Sequence, residues 1–359
     1  MTMKRPVILL TGGGTAGHVS VNEALIPVFD ERGYEIHYIG SHDGIEKDLI
    51  GEGHPEVTYH AIQSGKLRRY FSFKNFTDPF KVGAGIIQAL GVIRKIKPEI
   101  IFSKGGFVSV PVILAAKMTK VPVVIHESDV TPGLANKLAL PFSNHIFTVF
   151  EQTLDYVPKG KATCSGPIIR PELFEGLKEE GLRIARLRGD KPILIVMGGS
   201  QGSSLLNNAI REDLSAILHT FDVIHLCGKG KIDESLENIT GYTQFEYVTV
   251  GLPHLLAASD FAVTRAGSNA IFELLALRKP MLLIPLSAAK SRGDQILNAA
   301  HFKRMGLARV MKEEDISLRP FSEELILFQD DKEQLMTTSM NTALPKTPEQ
   351  MVEMILSCK

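Results

Sequence analysis

Two glycine-rich turns, Gly12-Gly-Gly-Thr-Ala-Gly17 and Gly198-Gly-Ser-Gln-Gly202, decide the fold class of this chain. Each directly follows a short apolar run, Val7–Leu10 in one case and Ile193–Met197 in the other, and each opens into helical periodicity. Strand, glycine turn and helix in that order begin a parallel βα unit, because glycine lets the backbone turn tightly and approach a ligand closely. Two such openings within 359 residues point to two α/β domains.

The remaining pattern agrees. Glu35–Ile39, Val57–Ile62, Ile100–Phe102, Val123–His126 and His145–Val149 also read as strands. Several lack alternation, as strands buried on both faces do. Val21–Arg32, Pro79–Lys97 and Val108–Thr119 read as the helices between them. After a turn-rich stretch, Cys164–Arg170, the pattern restarts: strands at Ile193–Met197, Val223–Leu226, Phe261–Thr264 and Met281–Ile284, helices from Ser203 and at Asn269–Ala276 and Asp294–Met305. The expected fold class is α/β, with two doubly wound Rossmann-like domains over residues 1–163 and 164–340 facing across a cleft. A last segment, 341–359, carries an amphipathic helix, Pro348–Ser357, expected to pack across the domain junction.

Charge and cysteine usage narrow the function classes. Forty Lys and Arg balance forty Asp and Glu, so no global positive field favours nucleic acid. Cys164, Cys227 and Cys358 form neither a metal spacing nor a disulfide framework, which suits a reducing cytosol. No apolar run approaches the roughly 18 residues that span a bilayer, and Met1–Pro6 is too short for a secretory signal. The expectation is a soluble protein able to sit on a membrane surface.

Chemistry-bearing residues cluster after the strands. Gly12-x-Gly14-x-x-Gly17 formally satisfies the dinucleotide fingerprint, but Ile39-Gly-Ser-His-Asp43 puts the first carboxylate beyond a glycine turn, not at the strand end. His18 closes the loop with an imidazole, a group that ionises near neutrality and suits a general base. Thr264–Glu273 delivers Arg265 from a strand, opens a helix with Ser268 as its expected N-cap, and sets Glu273 about a turn and a half inside, where a carboxylate suits a ribose diol. Gln295 and Asn298 share a helical face, where amides can read sugar hydroxyls, although Asn298 serves equally well in packing or capping. Ser103–Phe107 and His126–Gly133 also follow strands, at the edge where open α/β sheets bind ligands. Glu127 and Asp129 there are either functional or caps for the following segment.

Gly65–Phe76 differs in kind. It alternates cations with Leu67, Tyr70, Phe71, Phe73 and Phe76, and residues 66–137 hold twelve Lys or Arg against four Asp or Glu. Aromatic anchors beside Arg68 and Arg69 suit an anionic membrane interface, the alternative being aromatics buried beneath a basic surface.

Taken in order, Gly13-Gly-Thr-Ala-Gly-His18, Lys104-Gly-Gly-Phe107, His126-Glu127, Gly198-Gly-Ser-Gln-Gly202, Arg265-Ala-Gly267 with Glu273, and Asp294-Gln-x-x-Asn298-Ala299 resemble the MurG family of peptidoglycan N-acetylglucosaminyltransferases. The resemblance implies the GT-B fold and a peripheral enzyme at the cytoplasmic face of the membrane. Such an enzyme inverts configuration as it moves N-acetylglucosamine from UDP-N-acetylglucosamine to undecaprenyl-diphosphate-linked N-acetylmuramoyl pentapeptide. By that likeness the N-terminal domain receives the lipid-linked acceptor, with Thr15, Ala16, Gly17 and His18 where acceptor and donor meet. The C-terminal domain holds the donor: Glu273 on the ribose, Ser200, Gln201 and Arg170 beside the UDP-sugar, Arg265 and Ser268 in the same turn, Gln295 on the sugar. The chain departs from the family at Ala16, at Ser20-Val-Asn22, and at Ser128-Asp129 where Gln-Asn is familiar.

Inversion requires a base, for which His18 is the first expectation and Glu127 the second. No Asp-x-Asp pair occurs, so no cofactor is expected, although Mg²⁺ can travel with UDP. Competing readings are a diacylglycerol glycosyltransferase, a nucleotide-sugar epimerase or dehydrogenase, and a non-enzymatic lipid-binding scaffold.

Overall fold

The computed structural model describes residues 5–65, 74–199, 201–248, 250–289, 291, 293–343 and 345–359; for residue 16 and residues 74–79 it describes the backbone alone. Seven parallel strands form the first sheet: β1 (Val7–Thr11), β2 (Glu35–Ser41), β3 (Val57–Ile62), β4 (Ile100–Ser103), β5 (Val123–Glu127), β6 (His145–Thr148) and β7 (Ala162–Cys164). Their order is β3-β2-β1-β4-β5-β6-β7. All residues of β1, β4 and β5 are buried, which explains their unbroken apolar sequence.

Successive side chains of a strand point to opposite faces. Ile8 and Leu10 therefore join a core with the helix Ser20–Glu31, while Val7 and Leu9 join another with the helices Lys74–Ile96 and Ser109–Thr119. Ser20–Glu31 buries Val21, Ala24, Leu25, Val28 and Phe29, the i, i+3, i+4 spacing of a one-faced helix. The C-terminal helix Pro348–Leu356 completes this core with Met351, Val352 and Ile355, all fully buried. Burial of that kind contributes about 1.5–3 kcal/mol per side chain. The helix starts sharply because Thr347 and Gln350 cap each other reciprocally and Pro348 fills the first helical position.

The chain thus divides into two units, Met1–Arg170 with Pro345–Lys359, and Pro171–Leu344. Strand β7 pairs with β6, so the first unit runs on to Arg170, beyond the junction expected after residue 163.

In the second unit β8 (Ile193–Met197), β9 (Asp222–Leu226), β10 (Tyr242–Phe245), β11 (Phe261–Thr264), β12 (Met281–Leu283) and β13 (Arg309–Val310) pair in parallel, in the order β10-β9-β8-β11-β12-β13. Its core stacks Phe261 edge-on against Phe221 (5.5 Å between centroids) and Phe328 (5.3 Å).

Each sheet reverses its strand order once near its middle, between β1 and β4 in the first and between β8 and β11 in the second. Loops leaving two such strands diverge to opposite faces and open a crevice, where doubly wound sheets bind ligands. Both glycine turns stand at these points. Among the described residues, no helix is long and apolar enough to cross a membrane.

Candidate active site

The first glycine turn is shaped by close approach. Gly14 has φ +88°, a conformation that side-chain-bearing residues rarely adopt. A Cβ on Gly13 would strike the Glu46 carboxylate, and one on Gly106 would sit 2.2 Å from the Gly13 carbonyl oxygen, so the loops after β1 and β4 touch backbone to backbone. Glu46 is 1% exposed and accepts from the Gly14 N–H (3.0 Å) and from the N–H and hydroxyl of Ser41 (3.0 and 2.5 Å). One of the amides that would meet a diphosphate in a dinucleotide site is therefore already occupied by the protein's own carboxylate. This argues against a nicotinamide dinucleotide on this loop.

A short 3₁₀ turn, Ala16–His18, carries the half-buried His18 at its end, with Gly17 half-buried and Thr15 exposed. Nδ1 of His18 lies 3.1 Å from the Gly13 carbonyl oxygen and 3.1 Å from Thr15 Oγ1. A carbonyl can only accept, so the hydrogen belongs on Nδ1 and Nε2 carries the lone pair. The same contacts fix the ring direction.

Glu127 ends β5 at 5% exposure with its carboxylate fully engaged. It accepts from the Asp129 N–H (3.0 Å), the Gly133 N–H (2.8 Å) and Asn136 Nδ2 (2.9 Å), which folds the His126–Gly133 loop around it. Beside it, the buried Lys104 ammonium donates to Ser128 Oγ; burial lowers its pKa, opposed by the charges of Glu127 and Asp129. His126 is 1% exposed, and neither ring nitrogen has a partner among the described residues. Burial, then the Lys104 charge, pushes its pKa well below the ordinary imidazole value and keeps it neutral.

In the second unit Arg265 crosses the switch point. Its guanidinium, 6% exposed, donates to Ser203 Oγ (2.6 Å), Glu313 Oε1 (2.8 Å) and the Ile284 carbonyl (3.1 Å), tying the β11 turn to the helix that follows the glycine loop. Burial tends to raise the Glu313 pKa, but the Ser287 N–H and Arg265 outweigh it and hold the carboxyl at about 2. Asn298 is fully buried and donates to the Ala266 carbonyl (3.2 Å), fixing the same turn. Gln295 Oε1 accepts from the Leu286 N–H (3.0 Å), leaving its amide NH₂ half-buried beside the loop after β12. Glu273 is half-buried on the helix Ser268–Ala276.

The expected N-cap is corrected. Gly267, in extended conformation, caps that helix without a side-chain bond, and Ser268, 7% exposed, is its first helical residue. The helix after the glycine loop does have a side-chain N-cap, Ser203, which accepts from the Leu206 N–H (3.3 Å). Gln201 is exposed on the glycine loop, and Arg170 is the last residue of the first unit. Ser200 lies outside the described residues, as do Leu67, Arg68, Arg69, Tyr70, Phe71 and Phe73.

Glu46, Lys104, Ser203 and Glu313 were not among the residues expected from sequence. Each acts on another loop through a contact between distant segments, and no local spacing marks such a contact. Two of them had a signal, Ser203 as a serine immediately ahead of a helix and Lys104 in the Lys104-Gly-Gly-Phe107 turn after a strand.

Comparison with known proteins bears on the same loops. The model of the glycosyltransferase family 28 N-terminal domain matches residues 8–148, and that of the family 28 C-terminal domain matches residues 193–353. A UDP-N-acetylglucosamine–N-acetylmuramyl-(pentapeptide) pyrophosphoryl-undecaprenol N-acetylglucosamine transferase of Clostridium tetani is 51% identical over 354 residues, 98% of each chain. The protein of that name from Geobacillus kaustophilus is 58% identical over 315 residues, 87% of each chain. The crystal structure of Acinetobacter baumannii MurG superposes with a TM-score of 0.71, covering 99% of this chain and 100% of that one at 20% identity, a likeness of fold. With GT-B architecture in both units, and near-full-length identity above half, this chain belongs to the MurG family of glycosyltransferase family 28 enzymes.

Proposed function

We propose that this chain transfers N-acetylglucosamine, with inversion, from UDP-N-acetylglucosamine to undecaprenyl-diphosphate-linked N-acetylmuramoyl pentapeptide, converting lipid I to lipid II in peptidoglycan synthesis. One observation carries it: 51% identity over 98% of a transferase of that name, with glycine loops at both switch points. Relatives above half identical carry the transferase name, which favours this reading over the epimerase, diacylglycerol-transferase and scaffold ones.

Inversion is a single in-line displacement. The acceptor hydroxyl oxygen bonds to the anomeric carbon, the bond from that carbon to the diphosphate oxygen breaks, and UDP departs with the electron pair. The hydroxyl proton passes to Nε2 of His18, whose tautomer the Gly13 carbonyl sets. Glu127, with three donors on its carboxylate, is assigned a positioning role, holding the His126–Gly133 loop and Asp129 toward the acceptor. Thr15, Ala16 and Gly17 line the acceptor side.

The donor belongs to the second unit. Glycine-loop amides and the start of the helix Ser204–Glu212 meet the diphosphate, where the helix dipole stabilises the charge that grows on UDP. Glu273 takes the ribose hydroxyls and the Gln295 amide the sugar, with Ser200, Gln201 and Arg170 alongside. Arg265, Ser268 and Asn298 act by holding the turn. Mg²⁺ accompanies UDP if it takes part at all, and no nucleic acid is expected as a partner.

Glu273→Ala is expected to raise the KM for UDP-N-acetylglucosamine roughly tenfold or more, the loss of a charged hydrogen-bond acceptor, with the acceptor KM unchanged; equal donor affinity in wild type and variant would remove Glu273 from the site. A place on the cytoplasmic membrane surface is part of this reading, supported by the basic balance of residues 66–137 and by Phe80 (80% exposed) and Ile87 (72%) on the helix Lys74–Ile96. Replacing Leu67, Tyr70, Phe71 and Phe73 by Ser should weaken sedimentation with vesicles of anionic phospholipid, and unchanged partitioning would discard the assignment. The function itself is tested by incubating purified protein with UDP-N-acetylglucosamine and lipid I. A β-1,4-linked lipid-borne disaccharide is expected; product only with diacylglycerol, or free epimerised sugar nucleotide, would overturn it.

A further inference from the structure

Behind the second glycine loop, the chain leaving β9 makes its own turn, Cys227-Gly-Lys-Gly-Lys231. The two turns are pressed together. A Cβ on Gly202 would sit 1.9 Å from the Cys227 carbonyl oxygen, one on Gly228 would sit 2.6 Å from the Gln201 carbonyl oxygen, and both glycines have positive φ (66° and 95°). Neither position accepts a side chain, so backbone meets backbone. Across this contact the Lys231 ammonium donates to the carbonyls of Gln201 (2.9 Å) and Gly202 (3.2 Å).

The lysine is itself held in place. Its N–H donates to the Gly228 carbonyl (3.1 Å), and its carbonyl accepts from Arg211 Nη2 (2.6 Å), which also donates to Gln244 Oε1 on β10 (2.7 Å). The Gly230 N–H donates to Glu246 Oε1 (2.8 Å), fixing the middle of the turn.

We infer that Lys231 is a positioning residue for the donor diphosphate, acting through the Gly198–Gly202 loop; this rests on the reading of that loop as the diphosphate cradle. In a trans peptide the C=O and N–H point in opposite directions. Drawing two successive carbonyls toward Lys231 turns the N–H groups of Gly202 and Ser203 the other way. The Gly202 N–H then closes the loop onto the Gly199 carbonyl (2.9 Å), and the Ser203 N–H lies at the start of the helix. The ammonium also offsets two carbonyl dipoles whose negative ends would otherwise stand near an anion. A lysine that never touches the donor thereby closes the loop on itself and keeps the Ser203 N–H facing the diphosphate.

The test compares wild type, Lys231→Met and Lys231→Arg, the last able to donate to both carbonyls. Isothermal titration with UDP and steady-state kinetics with UDP-N-acetylglucosamine and lipid I are measured for each. Lys231→Met is expected to weaken UDP binding and raise the donor KM roughly tenfold, the scale of a lost charged hydrogen bond. The acceptor KM and the thermal midpoint should stay put, and Lys231→Arg should restore most of the affinity. Unchanged UDP affinity in a folded Lys231→Met protein would overturn the inference. So would equal rises in both KM values or a fall in the thermal midpoint that tracks the loss, since either marks a general folding role. Failure of wild type to bind UDP would instead strike the donor reading itself.

Discussion

His18→Ala is expected to lower kcat by roughly 10²–10⁴, the range of a lost general base, with the KM for UDP-N-acetylglucosamine little changed. The expectation rests on the ring's restraint. Nδ1 faces the Gly13 carbonyl, which accepts but cannot donate, so one tautomer is selected and Nε2 is the basic nitrogen. Removing the imidazole removes the proton acceptor but leaves the donor loop of the other unit as it was, which is why the loss should fall on kcat. The measurement is single-turnover transfer at saturating substrates. A rate within threefold of wild type would move the base elsewhere. Glu127→Gln is the informative companion, because an amide can still accept at one oxygen but meets the Asp129, Gly133 and Asn136 donors poorly. If Glu127 only organises its loop, the pH dependence of the rate stays that of the wild type while kcat falls.

The second large effect is on stability. Arg265→Met should destabilise the second unit by about 3–5 kcal/mol, because it strips the partner from a buried carboxylate. Glu313 is 6% exposed, and its other oxygen accepts from the Ser287 N–H (3.1 Å), a neutral donor that does not balance the charge. Removing both charges with Arg265→Met and Glu313→Leu should recover part of the loss, since an apolar pair of similar volume avoids the unpaired charge. The sign with pH follows from the depressed Glu313 value. Its contribution is fully present above the ordinary carboxylate range near 4.3 and disappears as pH falls toward about 2. Urea unfolding at pH 7 and pH 3, followed by a probe in the second unit, checks both points. A cost below 1 kcal/mol for the single variant would show that the pair contributes little.

Much of the architecture could be read along the chain. Val57–Ile62, Ile193–Met197 and Phe261–Thr264 match to the residue, and the other expected strands to within two residues of either end. Most of these strands are buried on both faces, so their apolar runs are unbroken and end at turns; Val57–Ile62, with exposed Thr58 and Ala61, is the exception. The strands β7, β10 and β13 and the helices Leu134–Ala139, Lys178–Ala185, Leu214–Thr220, Leu252–Ala258, Phe321–Asp330 and Lys332–Met340, which the sequence did not announce, are short or mixed in composition. Strand β13 has two residues and β7 three, too few for any periodicity to register.

Site residues divide along the same line. His18, Glu273 and the two glycine loops were visible because each is a local event, a special residue at the end of a strand. The buried partners of Arg265 were not. Arg265 looks like a ligand contact in its motif, yet its named partners belong to segments 19, 48 and 62 residues away.

By itself the sequence determined the two doubly wound units and the placing of their glycine turns, because hydrophobic period and backbone freedom are properties of neighbouring residues. Tertiary structure alone decided which polar groups are left over for a substrate. Glu46 occupies a loop amide, Glu127 spends its oxygens on its own loop, Arg265 is consumed by Glu313, and His18 turns Nδ1 to the Gly13 carbonyl. A buried charge or amide must find a partner wherever folding places one, and that partner comes from chain too distant for any local pattern to announce.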